Sequence, residues 1–340
     1  MSVASDGSTV LTLKVIEARQ LNPLIRKFRL AAPDERALPT WSAGSHIQVQ
    51  VTLPDGAQDW RHYSLINLER ADASNGMVHK QSPRTEYTIA VRRENPGRGG
   101  SAFMHEKLRE GDTLSVIAPK NDFPLTGTNG TTVLLAGGIG ITPLTSMAAY
   151  CHGHGRPVRM CYAGRSRGLM AFIPELQALL GDELQVHADD EHEGKVLDID
   201  AFLESCGDAD HLYVCGPKPM LDAALKATSA HGWDPGRVHF ELFVTGATAS
   251  GDRAFEVVLA RSGKTFICRA DQTLLDALIE HGCDPMYDCT RGECGVCTTG
   301  VLEGEIDHRD YVLSQAERDS GKMMQICVSR AKGDRIVLDI

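Results

Sequence analysis

The chain has 340 residues, of which 42% are hydrophobic and 24% charged, and a net charge of −10. That length fits two or three domains at roughly 100–200 residues each. The acidic balance argues against nucleic acid or an anionic membrane surface as the main partner. No stretch approaches the ~18 consecutive apolar residues of a membrane span. The opening MSVASDGSTV has neither the basic nor the apolar region of a secretory signal. A cytoplasmic protein is expected, its ten cysteines reduced and not paired as disulfides.

The first third of the chain reads as β-rich. HIQVQVTL (His46 to Leu53) and YTIAVRR (Tyr87 to Arg93) alternate apolar and polar residues, with Gly, Pro and Asp between such runs. About six strands of this kind suggest a small antiparallel barrel or sandwich. In RHYSLIN (Arg61 to Asn67), alternation points Arg61, Tyr63 and Leu65 one way. Gly99, Gly100 and Ser101 open a helical segment, where free N–H groups suit a phosphate. On composition alone, a barrel strand followed by a turn explains both stretches equally well.

From Thr132 the rhythm changes. TVLLAGG is a short buried-strand run, followed by a helix opening near Pro143. VRMCYAG, ELQVHAD and HLYVCGP repeat the strand signal with helical sequence between them, and Leu221, Ala224, Leu225 and Thr228 form one helical stripe. This is the pattern of a doubly wound α/β parallel sheet. GGIGITP (Gly137 to Pro143) would let a backbone approach a pyrophosphate at a helix N-terminus. A close-packed turn is the plainer alternative. YVCGPKPM (Tyr213 to Met220) strengthens the nucleotide reading, since both motifs fall at the carboxyl ends of strands, where such sheets bind ligands. Arg165 and Arg167 follow the next strand and either reach the oxygens of a dinucleotide or form a solvated basic loop.

Thr245 to Ala254 (TGATASGDRA) reads as a linker. Beyond it come a hairpin-like start and a helix opened by Thr273 and Asp276, with Leu274, Leu275, Leu278 and Ile279 on its buried side. Then Cys289, Cys294 and Cys297 give C-x4-C-x2-C, and Cys327 follows at a distance. This is the spacing of plant-type [2Fe–2S] ligation, and soft thiolates suit iron–sulfur clusters. Gly292 and Gly295 would let the loop turn tightly around one. Structural zinc and unliganded thiols are the alternatives, but zinc ribbons prefer paired C-x2-C knuckles and only one is present. Cys151, Cys161, Cys206, Cys268 and Cys283 read as small core residues.

R-x-Y-S-L, G-R-G-G-S, G-G-I-G-I-T-P, C-G-P and the cysteine pattern occur in this order over nearly the whole chain. In that arrangement the sequence resembles the phthalate dioxygenase reductase family, as do DHRDYVLS (Asp307 to Ser314) and CVSRAK (Cys327 to Lys332). The resemblance implies three domains: a flavin-binding antiparallel β-barrel at 1–126, an NAD-binding α/β domain at 127–245 and an α+β (β-grasp) plant-type ferredoxin domain at 246–340. It implies that Arg61, Tyr63, Ser64 and Leu65 hold the flavin, with Ser64 near N5, and that Gly99, Gly100 and Ser101 bind its phosphate. It further implies that Gly138, Gly140, Ile141 and Thr142, with Cys215, Gly216 and Pro217, hold the nicotinamide cofactor. Cys215 would lie by the hydride path and Phe243 by the isoalloxazine.

The implied cofactors are FMN in preference to FAD, NADH and a [2Fe–2S] cluster. The implied partner is the terminal oxygenase component of an aromatic-compound oxygenase, of the Rieske non-haem iron type. No cysteine here has a histidine two residues later, so the chain carries no Rieske C-x-H pair itself. The competing functions are a stand-alone flavin reductase and a non-catalytic iron–sulfur electron carrier or redox-sensing module. Ala71 to Arg84 is longer than the family's corresponding loop and has no implied role.

Overall fold

The computed structural model describes residues 2–3, 9–68, 85–95, 97–127, 129–243, 249 and 251–340; the Ala71 to Arg84 stretch lies outside them. Strands β1 (Ser2–Val3), β2 (Thr9–Asn22), β3 (Ile25–Ala31), β4 (His46–Thr52), β5 (Gln58–Ser64), β6 (Glu86–Arg92) and β7 (Thr113–Lys120) make one antiparallel sheet, with helix α1 (Gly100–Glu106) between β6 and β7. The sheet runs β5-β4-β7-β2-β3-β6, with β1 beside β2, and curls into a half-barrel. Its alternating apolar residues, among them Leu13, Phe28, Ile47, Val49 and Ile89, fill one core.

A parallel sheet follows, built from β8 (Thr132–Gly137), α2 (Ile141–Gly153), β9 (Val158–Gly164), α3 (Ile173–Leu180), β10 (Leu184–Ala188), α4 (Ile199–Glu204), β11 (His211–Cys215), α5 (Lys218–Ala230) and β12 (Val238–Glu241). Its order is β10-β9-β8-β11-β12. The central strand β8 is buried at every position, as its unbroken apolar run requires in a sheet covered on both faces. On α5 Leu221, Ala224 and Thr228 of the expected stripe are buried, while Leu225, at the edge of the stripe, is only partly buried.

Barrel and parallel sheet belong to one compact unit ending at Glu241. Gly44 N–H donates to Ser146 Oγ on α2 at 3.1 Å. Thr126, between the two sheets, donates its N–H to the Tyr213 hydroxyl at 2.8 Å. Beside Tyr213, His239 stacks at 4.5 Å and meets His211 at 3.0 Å between ring nitrogens. Burial, then the neighbouring His211, holds His239 down at about 4. Burial, then Arg237 and Arg156, push His211 the same way, with Asp210 and Asp234 opposing. His239 titrates near its ordinary ~6.5 once unfolded. It therefore contributes stability in full above pH ~6.5, and loses that contribution as pH falls toward 4. His239→Gln should flatten this acid sensitivity by on the order of 1–2 kcal/mol, read as a smaller drop in Tm between about pH 7 and pH 4.5 than in the parent.

The second unit begins at Leu242. It contains β13 (Phe255–Leu259), β14 (Thr265–Cys268), α6 (Leu274–Glu280), β15 (Thr298–Glu303), β16 (Ile306–Asp307), α7 (Gln315–Ser320), β17 (Met323–Gln325), β18 (Arg330–Ala331) and β19 (Arg335–Leu338). Its sheet runs β14-β13-β19-β15-β17, with β13 antiparallel to β14 and parallel to β19. Thr273 caps α6, accepting the Asp276 N–H at 2.9 Å. Leu274, Leu275 and Leu278 are buried, but Ile279 is 43% exposed and Ala277 takes the inner position. The reason is angular: a seven-residue helix offers the core only about a third of its circumference.

Arg330 is only 2% exposed. Its guanidinium lies over the Phe255 ring at 5.0 Å, donates to the carbonyls of Gln272, Arg253 and Arg269 and stands 3.5 Å from Asp252. Arg330→Met would strand those carbonyls and weaken the cover on the carboxylate. It should cost about 3–5 kcal/mol, seen as a lower denaturation midpoint.

Candidate flavin, nucleotide and cluster sites

On β5, Arg61 and Tyr63 stand opposite Val49 and Ile47. Arg61 pairs with Asp59 and donates to the Trp60 carbonyl at 3.0 Å. Gly99, in the left-handed region at φ 84°, leads into α1. A Cβ on Gly100 would stand 2.8 Å from Arg61 Nε, so the arginine lies directly across the start of the helix. A guanidinium over free backbone N–H groups is a donor set that fits a phosphate. Ser101 accepts the Glu94 N–H at 3.1 Å. The Tyr63 ring packs on the barrel core, and burial pushes its hydroxyl up. Ser64 is buried and pairs across the strands with buried His46, while the fully buried Leu65 donates its N–H to Ser45 at 2.8 Å.

In the parallel sheet, Gly138 to Gly140 form a tight turn into α2. Cys215 on β11 pairs with Ala136 on β8, which brings the second motif alongside the first. A Cβ on Gly140 would sit 2.2 Å from the Cys215 carbonyl oxygen, and one on Gly137 would sit 2.6 Å from Pro217 Cδ. The two motifs thus approach each other so closely that no side chain fits between them, while the Cβ position of Gly138 faces open space. The side chains of Ile141 and Thr142 are buried, and Thr142 Oγ1 donates to the Ile139 carbonyl at 3.0 Å. Cys215 is buried beside Glu241 of β12.

Arg165 and Arg167 are exposed after β9. Arg167 is committed to Glu191 by a two-pronged pair at 2.6 and 2.8 Å. Phe243 stands two residues beyond β12 and is 36% exposed.

In the second unit, Cys289, Cys297 and Cys327 are buried and Cys294 is exposed. The Cys297 and Cys327 sulfurs lie 3.2 Å apart, and the Arg291 N–H donates to Cys289 Sγ at 3.3 Å. The hydrogen bond from Cys327, then backbone N–H groups of Arg291 and Glu293, lower the Cys289 thiol toward its thiolate. Among the described residues no group of three or more His, Cys, Asp or Glu side chains is arranged to hold a metal ion. The loop instead supplies a soft sulfur donor set under backbone N–H groups, which suits iron–sulfur chemistry.

Glu293 accepts from the Leu242 N–H and pairs with Arg291 at 3.0 Å. Burial pushes its carboxyl up to about 7. Neither this pair nor the buried His46 stands out in the sequence, because a single charged or imidazole side chain carries no spacing signal. Of the five cysteines expected in the core, Cys151, Cys161 and Cys268 are buried. Cys206 and Cys283 are only partly covered, and the Cys206 sulfur accepts from the Arg159 guanidinium at 2.6 Å.

An arginine-lined turn on a curled barrel, a glycine turn on a parallel sheet and a three-cysteine loop with the distant Cys327 define a flavin- and nicotinamide-dependent electron-transfer reductase with a ferredoxin-type domain. The 2Fe-2S iron-sulfur cluster binding domain matches residues 257–332, and the oxidoreductase NAD-binding domain matches residues 134–226. The chain is 36% identical to the phthalate 4,5-dioxygenase oxygenase reductase subunit of Pseudomonas putida, covering 98% of each. It is 41% identical to a toluene-4-sulfonate monooxygenase system reductase subunit of Comamonas testosteroni, covering 89% of this chain and 90% of that one. The solved structure of phthalate dioxygenase reductase superposes with a TM-score of 0.71 at 35% identity, covering 97% of this chain and 98% of that one.

The chain belongs to the phthalate dioxygenase reductase family. It is an NADH-dependent oxidoreductase, the reductase component of an oxygenase system, taking electrons from NADH by way of a flavin to a [2Fe–2S] cluster. Among the described residues no helix is long and apolar enough to cross a membrane.

Proposed function

We propose that this chain, in the cytoplasm, delivers electrons singly to a terminal oxygenase of the Rieske non-haem iron type that acts on an aromatic compound. The observation that carries the reading is the presence in one chain of a nucleotide cradle and a thiolate loop. NADH gives up two electrons together, and a [2Fe–2S] cluster takes one. A bound flavin accepts a pair and releases its electrons one at a time, which is what joining the two requires.

In this reading the chain works as three functional domains, at 1–126, 127–245 and 246–340. Arg61, Gly99, Gly100 and Ser101 hold the flavin phosphate, and Tyr63, Ser64 and Leu65 position its ring. The family resemblance favours FMN over FAD. Gly138, Gly140, Ile141 and Thr142 form the turn that receives NADH, facing Cys215, Gly216 and Pro217. Arg165 reaches the nucleotide's ribose or phosphate oxygens, and Arg167 steadies that loop through Glu191. Phe243 covers the isoalloxazine, and Cys215 borders the hydride path. Cys289, Cys294, Cys297 and Cys327 ligate the cluster, with the exposed Cys294 marking its outward side.

The test combines composition with coupling. Purified protein handled without oxygen should be coloured, release FMN on acid treatment and contain iron and acid-labile sulfide. With NADH it should support turnover by a Rieske-type aromatic oxygenase and fail to support a haem oxygenase. Colourless protein holding zinc and no acid-labile sulfide would overturn the cluster, and turnover only with the haem enzyme would overturn the partner.

A further inference from the structure

Beneath the cysteine loop lies the segment Asp307 to Ser314, for which the electron path described so far has no use. Its centre, Asp310, has a side chain with no solvent exposure. Oδ2 accepts N–H groups from Val312 at 3.2 Å and Leu313 at 2.9 Å. Oδ1 is 3.4 Å from the Ser329 hydroxyl, two residues beyond Cys327. Around the carboxylate stand His308 at 3.6 Å and Arg318 at 3.6 Å. Arg309 turns away, binding Asp252 at 2.9 and 2.6 Å.

The segment touches the loop directly. Tyr311 donates its N–H to the Gly292 carbonyl at 2.9 Å. Gly292, between Cys289 and Cys294, is left-handed at φ 76°, and a Cβ there would stand 3.1 Å from the Asp310 Cα and 2.7 Å from Val328. Gly295 rests against Val312 in the same way, its Cβ position 3.2 Å from Val312 Cγ1. Asp310 thus folds the turn on which the loop sits and reaches the strand end behind Cys327 through Ser329. It joins both parts of the ligand set.

Burying a carboxylate is costly unless its acceptor sites are filled, and this one is filled by backbone and hydroxyl donors. Arg318 covers it only in part, its guanidinium donating to the Asp310 main-chain carbonyl at 2.5 Å and staying 28% exposed. A negative charge in a dry setting beside the loop opposes the arrival of an electron, and a cation there favours it. We propose that Asp310 is a positioning residue for the cluster, whose buried carboxylate braces the ligand loop and holds the cluster's reduction potential down, with Arg318 as the partial counterweight. The proposal rests on ligation by the four cysteines.

The experiment compares the full-length holoprotein with Asp310→Asn and Arg318→Gln by reductive titration followed by electron paramagnetic resonance. Iron and sulfide are counted in each sample. Asp310→Asn keeps the shape and one acceptor while removing the charge. At a fixed potential near the midpoint it should raise the ratio of reduced to oxidised cluster about tenfold. Arg318→Gln should lower the same ratio. A role in packing alone would reduce stability or cluster content without moving the two midpoints in opposite directions. Unchanged midpoints, or shifts of the same sign, overturn the proposal. Should Asp310→Asn fail to retain its cluster, the sign of the Arg318→Gln shift decides. A parent protein without iron and sulfide refutes the four-cysteine reading, a separate failure that the counts reveal.

Discussion

Cys294→Ser is expected to abolish NADH-driven reduction of one-electron acceptors such as cytochrome c, by about 100-fold or more, while NADH still bleaches the flavin. The thiol is the exposed member of the set, the other three being buried. A serine hydroxyl is a hard and poorly ionised donor where a soft thiolate is needed. The half-reactions separate because the nicotinamide motifs and Arg61 lie in the unit that ends at Glu241, whereas the cysteines lie in the unit that begins at Leu242. Stopped-flow absorbance of flavin reduction, set beside steady-state acceptor reduction, reads the two steps. Undiminished acceptor reduction by the variant would show that electrons leave the flavin without using the cluster.

Gly140→Ala should affect the opposite end of the path. The added methyl would sit 2.2 Å from the Cys215 carbonyl oxygen, 2.4 Å from its carbon and 2.7 Å from the Gly216 nitrogen. All three are backbone atoms, so no side chain can swing aside. The turn and the β11 end must separate, at about 1–3 kcal/mol or more of stability. A displacement near 1 Å of groups that orient a reactant costs on the order of 100-fold in rate. The expected result is a loss of that size in kcat/KM for NADH, with cluster content unchanged. Gly138→Ala provides the comparison: nothing lies within 4 Å of its Cβ position, but its φ of 54° makes the backbone strained. It should lose less. Equal activity in Gly140→Ala and the parent would show that the close approach of the two motifs has no bearing on nucleotide use.

Much of this was readable from the residues. GGIGITP and CGP proclaim strand ends because a glycine turn after a short apolar run is a local event, and C-x4-C-x2-C is a local spacing. The β8 to β11 alternation also follows from periodicity, whereas β12 carries too short a run to announce itself. What stayed hidden depends on residues far apart in the chain. Arg61 crosses Gly100 only because the barrel curls. Asp252, inside a stretch that reads as a linker, proves to be a half-buried partner of Arg309 and Arg330. Its carboxyl is held down at about 2 by the Arg309 hydrogen bonds. Ile279 fits the apolar stripe of its helix and still faces water, since the width of the buried face is set by what packs on it.

By itself, the sequence determined the kinds of chemistry available: thiolates for iron and sulfide, glycine turns for phosphate, and an arginine on a barrel strand. Those follow from residue type and local spacing, which survive any change in how the elements pack. Only the tertiary structure decided that the Gly140 turn lies against Cys215, that Glu191 occupies Arg167, and that Asp310 is sealed under the cysteine loop. Contact and burial come from packing between distant segments, and the strength of a charge depends on how much water that packing removes.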